Sequence, residues 1–191
     1  MNKTLSAIAL SCAISTSVYA GDISYNFIEG AIITNDVDGA DSTFALQGSY
    51  DVASNINLVG GFASTGLGDI NGVDVSLSAF SVGVGYHKSV NDSTDVYGDI
   101  QYISYDIDFS QGNAFASVDA GNGFGINLGL RHTFTEKFEG EASINYVNIE
   151  DVTDTSVSAQ GRYYFTKQFS ASLGYSTADD SDLAAALRYN F

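Results

Sequence analysis

The feature that most constrains this chain is a two-residue period. After Gly21, apolar and polar residues alternate in runs of about 9–14 residues, and Asp, Asn, Gly and Ser separate the runs. In one run, Phe44, Leu46 and Tyr50 share a face, and Gln47 points to the other side. No stretch after Gly21 has a convincing helical period. The chain is therefore predicted to be all-β, with strands that are apolar on one face and polar on the other.

The spacing of the runs predicts ten strands. Their predicted ranges are 23–34, 42–52, 56–66, 74–87, 95–108, 121–134, 138–149, 155–165, 169–177 and 182–191. Eight strands are the alternative, if a short pair near either end of the chain is misassigned. An even number of strands places both termini on the same side.

The length of the strands is compatible with a membrane. A tilted strand of about 9–11 residues crosses the hydrocarbon layer. Closure into a barrel leaves no exposed edge and satisfies every backbone group in lipid. A mean hydropathy of +0.04 is then the average of an apolar outside and a polar inside. These properties predict a closed antiparallel transmembrane β-barrel.

The N-terminal segment is predicted to be a secretory signal peptide covering residues 1–20. Lys3 supplies a positive start, an apolar stretch follows, and Val18-Tyr19-Ala20 has the small-x-small pattern of a cleavage site. The barrel domain is accordingly predicted over 21–191. The alternative is a lipoprotein anchored at Cys12, the single cysteine, but the residues before it match that pattern poorly.

The connections between strands fall into two groups. On the side of the termini, tight turns are predicted at 53–55, 135–137 and 166–168, with a longer connection at 88–94. The other side has more acidic and often longer connections, at 35–41, 67–73, 109–120, 150–154 and 178–181. Short periplasmic turns and longer outer loops are typical of transmembrane barrels, so the acidic loops are expected outside the cell.

The phase of each strand predicts a charged network in the lumen. Its predicted members are Glu29, Asp99, Arg131, Glu139, Glu141, Arg162 and Arg188, which include every arginine of the chain. If 135–137 forms a tight turn, Arg131 lies opposite Glu141, a stabilising cross-strand pair. Two interpretations remain open: a charged constriction in a channel, or a polar plug that fills a small barrel and neutralises its own charges.

The outer connections hold fourteen carboxylates and no Lys or Arg. They are Asp36, Asp38, Asp41, Asp69, Asp74, Asp106, Asp108, Asp119, Glu150, Asp151, Asp154, Asp179, Asp180 and Asp182. One interpretation is a solvated rim. The other is that Ca²⁺ or Mg²⁺ binds there and bridges to lipopolysaccharide phosphates, with Asp36, Asp38 and Asp41 as the best candidate ligands.

The composition argues against two other functions. A net charge of −16 excludes a nucleic-acid binder that depends on phosphate contacts. The two histidines, His87 and His132, are expected near the periplasmic ends of strands, and no catalytic triad or dyad can be placed around them. The chain is therefore predicted not to be an enzyme.

Several short segments resemble the small Gram-negative outer-membrane β-barrel family, which is porin-like and of the OmpA/OmpX type. They are Tyr25-Asn-Phe-Ile-Glu-Gly30, Gly60-Gly-Phe62, Gly83-Val-Gly-Tyr-His87 and Leu187-Arg-Tyr-Asn-Phe191. The alternation of Leu187, Tyr189 and the terminal Phe191 is similar to the signal that such proteins present to the barrel assembly machinery.

This resemblance implies insertion into the outer membrane and contact with its lipid and lipopolysaccharide. A monomer is expected. The implied role is structural or surface-interacting, with a narrow channel for ions or small solutes as the alternative. A role that tethers the membrane to the cell wall is not expected, because no peptidoglycan-binding domain accompanies the barrel.

Overall fold

The computed structural model describes residues 25–34, 41–150, 152–177 and 181–191. Within these ranges, no helix is long and apolar enough to cross a membrane. The strands are β1 (Phe27–Ile33), β2 (Thr43–Ala53), β3 (Ile56–Ile70), β4 (Val73–Asn91), β5 (Thr94–Gln111), β6 (Ala114–Thr135), β7 (Phe138–Ile149), β8 (Val152–Tyr164), β9 (Phe169–Thr177) and β10 (Ser181–Asn190). The predicted signal peptide, 1–20, lies outside the described residues.

The ten strands close into one barrel. Each strand pairs antiparallel with its neighbours in sequence, and β1 pairs with β10. The prediction of a ten-stranded antiparallel barrel is confirmed, and the eight-stranded alternative is wrong. At the closing seam, Glu29 of β1 lies directly opposite Arg188 of β10.

Several predicted connections are wrong because the strands continue through them. The turn between β3 and β4 consists of Asn71 and Gly72, both with positive φ, instead of 67–73. Strands also replace most of 109–120 and 88–94, leaving the two-residue turns 112–113 and 92–93. The physical reason is that the antiparallel ladders extend to these turns and keep their backbone groups paired.

The barrel wall is uneven in height. Residues 25 and 191 lie at the same end of the barrel, which we call the terminal end. We call the opposite end the far end. β4, β5 and β6 have 19, 18 and 22 residues, whereas β1, β9 and β10 have 7, 9 and 10. Since about ten residues cross a bilayer, the far-end part of β3–β6 rises beyond it. We call this projecting part the upper sheet.

The outer surface of the barrel is apolar. Ile28, Phe62, Val82, Ile100 and Leu128 are among many large apolar side chains that point outward and are exposed. Aromatic rings contact one another at the terminal end, including Phe134 with Phe138, Tyr163 with Phe165 and Phe169 with Tyr189. This arrangement matches the lipid-facing band and the aromatic girdle of a transmembrane barrel.

Candidate functional site in the barrel lumen

The lumen contains two layers of side chains, together with further buried polar residues such as Asn57 and Asn145. Toward the terminal end lies the charged layer, formed by Glu29, Arg131, Glu139, Glu141, Arg162 and Arg188. Toward the far end lies the apolar layer, formed by Ala31, Ile33, Ala45, Ala63, Leu77, Ala79, Ile103, Tyr105, Val147, Ile149 and Ala186. Three strands, β1, β7 and β10, carry inward-facing side chains of both layers.

Glu29 is the centre of one half of the charged layer. One of its carboxylate oxygens, Oε2, lies 2.7 Å from Nη1 of Arg162 and 2.7 Å from Nε of Arg188. The other oxygen accepts a hydrogen bond of 2.7 Å from Nε2 of Gln47. All of these side chains are buried. Glu29 thus joins β1 to β2, β8 and β10, including the closing seam.

Arg131 organises the other half of the layer. Its Nε lies 3.2 Å from Oε2 of Glu141 and 3.8 Å from Oε1 of Glu139. Glu141 is the direct cross-strand neighbour of Arg131, and Glu139 is that of Arg162. The register therefore joins the two halves into an alternating series of cations and anions around the lumen.

Two tyrosines complete the pairing of the acidic groups. Tyr97 donates its hydroxyl proton to Glu141, and the guanidinium carbon of Arg131 lies 4.9 Å from the centroid of the Tyr97 ring. Tyr164 donates to Oε2 of Glu139 over 3.0 Å. Three arginines and three glutamates thus balance in charge within a buried layer, an arrangement that offsets the desolvation of each ion.

Asp99 lies next to this layer in a polar environment. It is buried and accepts hydrogen bonds from Nε2 of Gln101 at 2.7 Å and from Nδ2 of Asn127 at 3.2 Å. All seven side chains of the predicted lumen network therefore point inward. Side-chain amides donate to Asp99, whereas guanidinium groups pair with the three glutamates.

Inward-facing glycines give room to the large side chains of the lumen. A Cβ atom at Gly129 would collide with the ring of Tyr97, and one at Gly83 would collide with Gln101. The sequence alone does not reveal which side chains lie over these glycines. Their positions follow from the register of β5 against β4 and β6.

The apolar layer was not predicted from the sequence. Ile103 and Tyr105 follow Asp99 and Gln101 at the same two-residue spacing, so they face inward as well. The signal that could have revealed them is that, beyond Tyr102, the apolar residues of β5 move to the inward face while Ser104 and Asp106 occupy the outward face. Two cavities lined by inward-facing residues of the lumen have volumes of about 20 and 10 Å³, each enough for about one water molecule.

The histidines lie near the terminal end, as expected from their positions in the strands. His87 is buried, stacks on Tyr25, and its Nε2 lies 3.3 Å from Oδ1 of Asp51. His132 has its Nδ1 3.0 Å from Oγ1 of Thr94. Burial raises the pKa of the Tyr25 hydroxyl, which precedes β1, above its usual range.

The far end is acidic, and its predicted metal ligands are only partly visible. Asp36 and Asp38 lie outside the described residues. Asp41 is exposed, and its backbone N–H donates to the carbonyl of Gly66 over 2.9 Å. Among the described residues, no three His, Cys, Asp or Glu side chains are grouped so that they could hold a metal ion.

The residues of the predicted assembly signal lie on the lipid-facing side of β10 and just after it. Leu187, Tyr189 and Phe191 are all exposed. The rings of Tyr189 and Phe191 have centroids 6.4 Å apart, and the Phe191 N–H donates to the carbonyl of Asn26 over 3.0 Å. These contacts show where the three side chains lie; their recognition by an assembly machinery remains a prediction.

Comparison with known protein families identifies the chain. Residues 4–176 match the model of the outer membrane protein beta-barrel domain. The chain belongs to this family. The family resemblance inferred from the sequence is thereby confirmed. None of the curated proteins compared with the chain matches it.

Two solved porin structures share the fold of this family member. The KdgM porin has 10% sequence identity and a TM-score of 0.53, covering 86% of this chain and 99% of its own. The NanC porin has 10% identity and a TM-score of 0.51, covering 87% and 98%. Ail of Yersinia pestis has 20% identity and a TM-score of 0.46, covering 86% and 97%. At these identities, the two porins indicate a shared fold and nothing about activity.

Proposed function

We propose that this protein is a non-enzymatic outer-membrane barrel with a structural or surface-interacting role in the cell envelope. The observation that carries the proposal is the filled lumen. The charged layer neutralises itself through short ion pairs, and the apolar layer packs toward the far end of the same lumen. A buried apolar constriction of this kind opposes the entry of water and ions.

The proposed placement follows from family membership and from the shape of the wall. The apolar outer surface lies in the lipid, the short turns and termini face the periplasm, and the upper sheet projects from the cell. The barrel acts as a monomer that contacts outer-membrane lipid and lipopolysaccharide. Leu187, Tyr189 and Phe191 are recognised by the barrel assembly machinery.

Single-channel recording in planar bilayers tests this proposal. The refolded barrel, shown to be folded by its heat-dependent shift on a gel, is expected to give no reproducible conductance steps. Ion steps in the unmodified protein that change in size or selectivity in the Arg131→Ala or Arg162→Ala variant would contradict the proposal. They would favour the alternative function, a narrow channel for ions or small solutes.

A further inference from the structure

We infer that the far-end edge of β6 is a docking site for an extended peptide segment of a partner protein, which adds to the upper sheet as a further strand. The inference rests on the proposed surface role of the barrel and specifies its partner. The partner segment alternates basic and apolar residues. The inference depends on the pairing of β6, on the two faces of the upper sheet and on the charge of its surroundings.

One side of β6 is unpaired over its far-end part. The ladder between β6 and β7 begins only at Gly123, opposite Ile149, whereas the ladder between β5 and β6 continues to Ala114. Among the described residues, no strand pairs with 114–122 on the side away from β5. The side chains of 114–119 are all exposed. Unpaired backbone groups of this kind form a template for another strand.

The opposite edge of the upper sheet differs. On β3, the backbone N–H of Asp41 donates to the carbonyl of Gly66, and the hydroxyl groups of Thr43 and Thr65 lie 2.5 Å apart. The β3 edge is therefore partly capped by the chain itself. At the β6 edge, none of the backbone–backbone hydrogen bonds that loops and turns make among the described residues reaches 114–122.

The two faces of the edge determine the chemistry of the partner. On the inner face, Val118 lies opposite Ile107 of β5, and Ala116 lies opposite Phe109. Val118 is 56% exposed, so the apolar side chains of an added strand would bury it. On the outer face, Asp119 lies opposite Asp106, with Asp108 two residues along β5.

The charge of the outer face favours a cationic occupant over a second copy of this chain. Asp106 and Asp119 are direct cross-strand neighbours of like charge, an arrangement that is destabilising unless a cation lies nearby. Among the described far-end residues, there is no Lys or Arg to supply one. An edge-to-edge pair of two copies would bring these carboxylates together, whereas a segment with basic residues on that face would neutralise them.

A binding experiment with synthetic peptides tests the inference. The probe is a fluorescent eight-residue peptide of alternating Lys and Val, added to the full-length barrel in lipid nanodiscs and measured by anisotropy. We expect saturable binding and slower amide hydrogen exchange at 114–122. A copy N-methylated at its amides is expected to bind at least about tenfold more weakly, since each lost hydrogen bond is worth a factor of about two to ten. An alternating Glu and Val peptide is expected not to bind.

Matched variants locate the site. Asp119→Asn keeps an oxygen acceptor for the N–H of Gly121, which lies 2.8 Å from Oδ1 of Asp119, but removes the charge. It is expected to weaken binding about threefold to tenfold, in line with loss of one partly exposed charge pair. Asp74→Asn removes the same charge on β4, two strands away, and is expected to change binding less than twofold.

Three outcomes would overturn the inference. They are the absence of peptide binding, equal binding of the N-methylated copy, and association of two barrels through this edge in crosslinking experiments. Conductance of the barrel is measured separately. A barrel that shows no conductance and does not bind the peptide contradicts only this inference. A barrel that conducts ions and binds the peptide contradicts only the closed lumen of the proposed function.

Discussion

The two layers of the lumen fill the same barrel by different physical means. The charged layer depends on pairing, because six buried ions are tolerated only while each keeps its partners. The apolar layer depends on shape and on the removal of apolar surface from water. Loss of one group in the charged layer leaves a buried charge without its partner, whereas loss of one group in the apolar layer leaves a cavity. The first change should therefore lower the free energy of unfolding more than the second.

The largest effect is expected for Glu29→Ala. This variant leaves the guanidinium groups of Arg162 and Arg188 without their shared carboxylate, and breaking a buried pair costs about 3–5 kcal/mol. Urea unfolding of the barrel in lipid vesicles, followed by tyrosine fluorescence and by the gel shift, measures the loss. Glu136→Gln, which changes an exposed turn carboxylate, is the control and is expected to be near neutral. Equal stability of the two variants would contradict the pairing.

A smaller loss is expected for Ile103→Ala in the apolar layer. Ile103 is 2% exposed, so the truncation leaves a cavity and costs about 2–4 kcal/mol. The matched control is Ile100→Ala on the same strand, where the side chain faces lipid and is 56% exposed. It is expected to cost clearly less, since lipid can fill the space. If Ile100→Ala were the more destabilising in the same unfolding assay, the packing of the apolar layer would be refuted.

Gly129→Ala is expected to lower the free energy of unfolding by about 1–3 kcal/mol. An added methyl group at this position meets the Tyr97 ring and displaces it from Glu141 and Arg131. Gly30→Ala provides the comparison, because nothing lies within 4 Å of a Cβ atom there. The same unfolding midpoints measure both variants. A Gly129→Ala barrel as stable as the Gly30→Ala barrel would show that Tyr97 does not lie over the glycine.

The smallest effect is expected for Tyr97→Phe. The ring and its packing remain, but Glu141 loses one hydrogen-bond donor while keeping Arg131 3.2 Å away. The expected loss is about 1–2 kcal/mol. The double variant Tyr97→Phe with Glu141→Gln gives the coupling between the two groups in the unfolding assay. A coupling of zero would contradict a direct hydrogen bond between them.

The two-residue period made three properties predictable: the number of strands, the closure of the barrel and the inward orientation of the charged residues. A slip by one residue would bring Glu29 and Arg188 into the lipid, so the sequence allows one register. The apolar layer could not be derived in the same way. Beyond Tyr102 the alternation of β5 reverses, with Ile103 inside and Ser104 outside, and a rule that assigns apolar residues to the outer face misses such a reversal.

The turns of the upper sheet were also beyond prediction. The stretch 109–120 contains Asp, Ser, Gln, Gly and Asn, whose local preferences favour a loop. The ladder with β5 overrides those preferences and produces a strand with a single irregularity next to Asp106. Pairing between neighbouring strands, which the composition of one segment does not encode, decides the height of the wall.

Cysteine accessibility tests the central claim, a lumen closed by two packed layers, most directly. In a Cys12→Ser background, the substitutions Ala79→Cys in the apolar layer and Phe115→Cys on the upper sheet are exposed to a water-soluble maleimide in the folded barrel. Ala79 is 2% exposed and Phe115 is 71% exposed. The sealed lumen predicts rapid labelling at position 115 and none at position 79 until the barrel is unfolded in urea. Labelling of the folded barrel at similar rates at both positions would contradict it.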